Sequence, residues 1–183
     1  MLKQVRYTTA VVLTVMVAGV MPAQKMRGHA RAAVVEFTPA ANVSGMTFES
    51  KRHLQATIAS RIVQSEKFDV VDTNHTREAS KGILAEVNSE SSTSAAVKVG
   101  KQLGVVYVLT GTVAEYDPKG GDGFGTVTLR VRLVEVATGR VKYSSDITQK
   151  GTRQMYGTGV AEMHANVFKP AIVRLVEELD AKP

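Results

Sequence analysis

The chain has 183 residues, 44% of them hydrophobic and 22% charged, with a formal net charge of +6; these are the values of one folded domain, not of a disordered tail. The basic excess is dispersed, and no Lys/Arg block marks a nucleic-acid-binding arm. Cysteine is absent, which excludes a disulfide, a thiol nucleophile, a Cys-ligated metal and a lipid anchor through Cys.

Lys3 and Arg6 precede an apolar run from Ala10 to Val20, and Pro22 and Ala23 follow it. This is the three-part layout of a secretory signal peptide. Eleven residues of helix rise about 16 Å, short of a bilayer core of about 30 Å, so no integral membrane span is expected. The division that follows is a signal peptide over 1–23, a polar leader over 24–31 and one domain over 32–180. Cleavage after Ala23 would leave Gln24 first.

With no Trp and 5% aromatics, the core must rest on aliphatic residues and Met. Ala32 to Phe37 is a short apolar run that predicts a buried strand. Thr38 to Thr47 holds Pro39, Asn42, Ser44 and Gly45 and predicts a loop. Phe48 to Gln64 has helical spacing, with Glu49, Lys51, Arg52 and Gln55 on the polar face. Phe68 to Val71 completes a βαβ unit with parallel strands. Asp72 to Asn74 can cap a helix whose inner face carries Ile83, Leu84 and Val87. Ser94 can cap another, which Gly104 ends.

A β-rich part follows. Val105 to Tyr116 and Thr126 to Val136 predict two strands, the second slipping in phase at Val134-Glu135-Val136, as a bulge would make it. Ala137 to Arg140 is a tight hairpin turn, and Val141 to Ile147 alternates as a third strand of an antiparallel meander. Thr138 and Gly139 are the structural turn, and Gly139 is expected at positive φ. Gly159 to Leu179 is the strongest helical pattern, with Pro170 marking a kink or a fresh start. The fold class is α/β (α+β): a mixed sheet of about five strands, helices on its faces and a C-terminal helix.

No residue set suggests catalysis, and no cofactor is expected. Gly120, Gly121, Gly123 and Gly125 precede a strand, whereas a phosphate loop opens a helix, so they predict a hairpin turn. Asp117 and Asp122 lack the spacing of a Ca²⁺ loop. His29, His53, His75 and His164 include no pair at zinc-ligand spacing and predict exposed polar residues. Glu36 reads as a satisfied edge-strand carboxylate. The Asn42-Val43-Ser44 sequon has little meaning in a bacterial-looking exported chain.

Three segments carry a family resemblance: the strand AVVEF with its following loop and helix, the stretch VGKQLGVVYVLTGTV from Val99, and VRLVEVATGRVKYS from Val131. Together they resemble the curli-export CsgG/HfaB family, with the layout of an LpoB-like soluble domain. The resemblance implies a non-catalytic protein of the periplasm, associated with the outer membrane, that binds envelope proteins or its own copies. Its narrower forms are a secretion accessory, a subunit of a ring-forming oligomer, and a regulator resembling the activators of penicillin-binding proteins. The family's pore loop corresponds to Thr38–Thr47, which makes Asn42, Ser44, Gly45 and Phe48 a candidate partner-facing loop. The family's two membrane hairpins would enter at Asp117–Gly125 and Lys150–Gly159. A spanning strand takes about 9–11 residues, so neither segment can hold two, and no pore is expected.

Overall fold

The computed structural model describes residues 29–90, 93–118, 122–151, 154 and 159–181. The expected signal peptide and residues 24–28 of the leader lie outside the described residues. The strands are β1 (Ala30–Val34), β2 (Thr38–Pro39), β3 (Phe68–Val70), β4 (Tyr107–Asp117), β5 (Thr126–Glu135) and β6 (Val141–Lys150). The helices are α1 (Phe48–Gln64), α2 (Thr73–Ser80), α3 (Leu84–Val87), α4 (Ser94–Leu103), α5 (Val160–Met163) and α6 (Lys169–Asp180), the last two joined by a π-helical turn, His164–Phe168.

The fold is mixed α+β. The sheet runs β3-β1-β4-β5-β6, with β2 beside β4. β3, β1 and β4 are parallel, and β4, β5 and β6 form the antiparallel meander. The expected βαβ unit is β1-α1-β3. The sixth strand, β2, lies where the sequence predicts only loop: Thr38 and Pro39 pair with Thr112 and Val113. Pro39 fits there because the amide facing β4 belongs to the next residue, Ala40 N donating to Val113 O, so the missing N–H of proline breaks no bond to β4.

Two apolar layers flank the sheet. One joins Leu54, Ile58 and Ile62 of α1, Leu129 and Leu133 of β5, Ile147 of β6, and Ile172 and Leu175 of α6. The other joins Ala33 and Val35 to Ala96 and Val99 of α4, and to Val108, Val134 and Val136. The phase slip at Val134 thus has two causes. The register of β5 against β6 shifts between Leu133 and Val134. There α4 also buries the second sheet face, so adjacent residues are both apolar. A second irregularity, between Val113 and Glu115 of β4, is not foreshadowed in the pattern.

Two buried amides close gaps in the strand ladder. Val35 N still donates to Leu109 O at 2.9 Å. Beyond it β1 leaves β4, and Gly111 N donates to Asn88 Oδ1 at 3.0 Å while Asn88 Nδ2 donates to Glu36 O at 2.8 Å. The Phe37 ring fills the space so opened: a Cβ on Gly111 would lie 2.6 Å from Phe37 Cε2 and 2.5 Å from Arg130 O. On the β3 side, Gln55 Nε2 donates to Val34 O at 2.8 Å and Gln55 Oε1 accepts from Arg77 at 3.2 Å. Gln55 is therefore fully buried, not on a solvent face of α1. Glu36 is likewise no edge-strand residue. It is buried just past β1, a strand with neighbours on both sides.

Helix ends follow local chemistry. Asp72 caps α2, its Oδ1 accepting from Asn74 N at 2.8 Å. The single helix expected to continue to Val87 is broken, because Gly82 adopts φ 80°, a conformation open to glycine. At α4 the capping position is Thr93, not Ser94, and its hydroxyl bonds elsewhere. Gly104 ends α4 at φ 62°. In the C-terminal helix the irregularity lies ahead of Pro170. Lys169 N donates to His164 O, a π-type bond, and proline has no amide for the carbonyl four residues back.

Candidate interaction surface

The loop predicted to face a partner stands at the end of the sheet where β4 finishes. Ala40 N donates to Val113 O and Val43 N to Ala40 O, both at 2.9 Å. Gly45 takes φ 78°. Thr47 then caps α1, its Oγ1 accepting from Ser50 N at 3.1 Å. Met46 packs on the core, whereas Asn42, Ser44 and Gly45 are exposed. Phe48, first in the helix, is 59% exposed. Arg52 lies over its ring at 4.4 Å from the centroid and Lys51 at 5.8 Å, favourable cation–π placements. Beneath, Tyr116 stacks on Phe168 at 6.0 Å. Burial pushes the Tyr116 hydroxyl above its ordinary range, against the hydrogen bond with Ser50.

The Thr138-Gly139 turn is at the opposite end of the sheet, so the two predicted features are not brought together. Gly139 has φ 68° and its N donates to Glu135 O at 2.8 Å. Thr138 Oγ1 donates to the Glu135 carboxylate. That bond, with Lys142 adding to it, holds the carboxyl below the usual range despite some desolvation. Thr93 Oγ1 donates to Gly139 O at 2.8 Å, tying the hairpin to α4.

Also at that end is a cavity of about 290 Å³ lined by Phe68, Tyr107, Leu133, Tyr143 and Leu179 with Lys67 and Lys142. Lys67 Nζ donates to Leu179 O at 3.0 Å and Asp180 O at 2.6 Å, closing the end of α6. Beside it the Glu178 carboxylate accepts from Tyr143 OH at 3.0 Å, Ser145 Oγ at 2.9 Å and Arg174 Nε at 3.2 Å.

One pairing escapes the sequence. His53 and His164, far apart in the chain, meet edge to face with ring centroids 4.0 Å apart. Thr57 Oγ1 donates its one hydrogen to His53 O at 2.8 Å, so His164 Nε2, 2.8 Å from Thr57 Oγ1, is the donor to that hydroxyl. Burial, then the nearness of His53 and Lys169, lowers the His164 pKa below 6.5. No linear spacing signals such a contact; it needs α1 laid beside the π turn. Asp122, weighed as a cation ligand, instead meets Lys150 and accepts from Phe124 N at 3.1 Å. Of the glycine cluster, Gly123 has φ 82°, while Gly120 and Gly121 lie outside the described residues. Among the described residues no three His, Asp or Glu converge as metal ligands. Nor is any described helix long and apolar enough to cross a membrane.

The solved structures similar to this one include the hypothetical protein CT253 from Chlamydia trachomatis, with TM-score 0.55 and 15% identity over 81% of this chain and 96% of that one. They also include the PelC dodecamer from Paraburkholderia phytofirmans, with TM-score 0.51 and 17% identity over 80% and 87%. These two show a shared fold. E. coli LpoB has TM-score 0.48 and 19% identity over 65% and 55%. No curated protein matches the chain. The expected place in the curli-export family is not supported, and the LpoB-like part of the resemblance is the part that stands. The family model described as the peptidoglycan-synthase activator LpoB matches residues 8–148, well over half the sequence, and the chain belongs to that family.

Proposed function

We propose that this protein is a non-catalytic accessory of the bacterial envelope that binds a peptidoglycan synthase of the penicillin-binding-protein class from the periplasmic side and raises its activity. The observation that carries this reading is the match to the activator family over residues 8–148. The signal-peptide pattern from Lys3 to Ala23 supports it, because the partner would lie beyond the inner membrane. A surface with an exposed aromatic flanked by Arg52 and Lys51 suits binding to another protein.

The test is reconstitution. A bifunctional synthase from the same organism is supplied with lipid-linked precursor, with and without the purified protein. Binding at micromolar strength or tighter and a several-fold faster glycan polymerisation are expected. A synthase that neither binds the protein nor changes rate would overturn the proposal.

A further inference from the structure

We propose that the start of α1, with Phe48 as anchor and Arg52 and Lys51 as flanking cations, is the docking surface for an acidic segment of a partner protein. This rests on the reading above when the partner is the synthase. Phe48 is the most exposed large hydrophobic side chain among the described residues, at 59%. It is not on a mobile tip, since Thr47 fixes the helix start and Met46 holds the preceding turn to the core. An aromatic on a fixed backbone loses little freedom when it is covered.

The two cations beside it are also available to a partner. Arg130, Lys142, Lys150 and Arg174 each face a carboxylate within their own surface. Lys51 and Arg52 form no ion pair among the described residues, and they lean on Phe48 instead. The incoming loop, residues 40–47, has no charged residue, and Glu49 is the one acid in the first turn. Both cations also sit near the positive end of the helix dipole, where they are disfavoured and an arriving carboxylate is favoured. Aromatic and Arg side chains together are the usual composition of an interface centre, and charge complementarity selects an acidic partner.

The experiment uses Phe48→Ala and the double variant Lys51→Glu/Arg52→Glu, both at exposed or half-exposed positions, with thermal melts to verify folding. Each variant should bind the synthase about 30-fold more weakly than the parent. Parental affinity in both variants would overturn the docking surface while leaving the proposed function intact. A synthase that never binds the parent sinks the proposed function, and a second arm then decides the surface alone. There, amide shifts are followed on adding a short peptide of alternating glutamate and phenylalanine. Shifts confined to 47–53 and lost in both variants support the surface. No shifts, shifts elsewhere, or Phe48-dependent binding only to vesicles containing phosphatidylglycerol would refute it.

Discussion

Gly139 and Gly111 both resist substitution in this fold, for opposite reasons. At Gly139 a Cβ would find ordinary space, with Thr93 Oγ1 and Val97 Cγ2 both 3.6 Å away, but φ is 68°. At Gly111 there is no room, because the Phe37 ring and the β5 backbone occupy the place. Gly139→Val should therefore lose about 1–3 kcal/mol through backbone strain, and Gly139→Asn distinctly less, since Asn tolerates the left-handed region. Gly111→Ala should lose at least about 1–3 kcal/mol through overpacking. Urea melts of the three variants against the parent provide the check. A Gly139→Val protein as stable as the parent would remove the strain argument. The two glycines also differ in legibility. The Thr-Gly turn between alternating strands announces Gly139, whereas nothing local distinguishes Gly111, whose constraint comes from a residue 74 positions earlier in the chain.

At the level of elements, the C-terminal helix is fastened to the edge strand β6 by one carboxylate. Burial alone would raise the Glu178 pKa, but the hydrogen bonds from Ser145, Tyr143 and Arg174 outweigh it and the net shift is downward. Burial and the facing carboxylate push the Tyr143 hydroxyl up to about 12. A carboxyl depressed in the folded state stabilises above its unfolded value of about 4.3 and loses that contribution as pH falls through the folded pKa. Glu178→Gln should thus be less stable than the parent at pH 7, with the gap closing as the solution is acidified below pH 4. Denaturant melts across pH 3 to 7 would show it, and a gap independent of pH would refute the assignment. Nothing in the linear pattern of α6 distinguishes Glu178 from a solvated helix carboxylate. Its strand partners, Tyr143 and Ser145, lie more than thirty residues away and become neighbours only when α6 crosses β6.

For the whole molecule, the βαβ unit, the meander and the final helix were legible because each follows a local period: two for Val127 to Leu133, near four for Met163 to Leu179. Less legible were the buried amides Gln55 and Asn88, which serve carbonyls and amides orphaned where strands part company. A polar residue with such a duty looks like any surface residue in a linear pattern. The candidate surface was legible in part: the loop and Phe48 were named, but the flanking roles of Lys51 and Arg52 depend on where the helix begins. Because one sheet is the wall of both apolar layers, neither layer can open alone. Ile172→Ala on the α6 side should cost about 2–5 kcal/mol, and Val99→Ala on the α4 side less. Each should lower one common unfolding midpoint, seen alike by tyrosine fluorescence and circular dichroism. Separate midpoints for the two probes would show the layers to be independent.

The π turn at His164–Phe168 has a consequence for how the C-terminal helix was assembled. Met163, Val167, Ala171, Leu175 and Leu179 are all buried and recur every fourth residue. In an ideal α-helix each residue turns about 100°, so every four-residue step overshoots by about 40° and the row should spiral away from the sheet. The widened turn subtracts rotation in the stretch where the overshoot would otherwise carry Met163 toward water. The segment therefore behaves as a helix holding one surplus residue. Removing a single residue between 164 and 168 would let the turn close as regular α-helix with Met163 still on the core, whereas closing it with all residues kept would swing Met163 off.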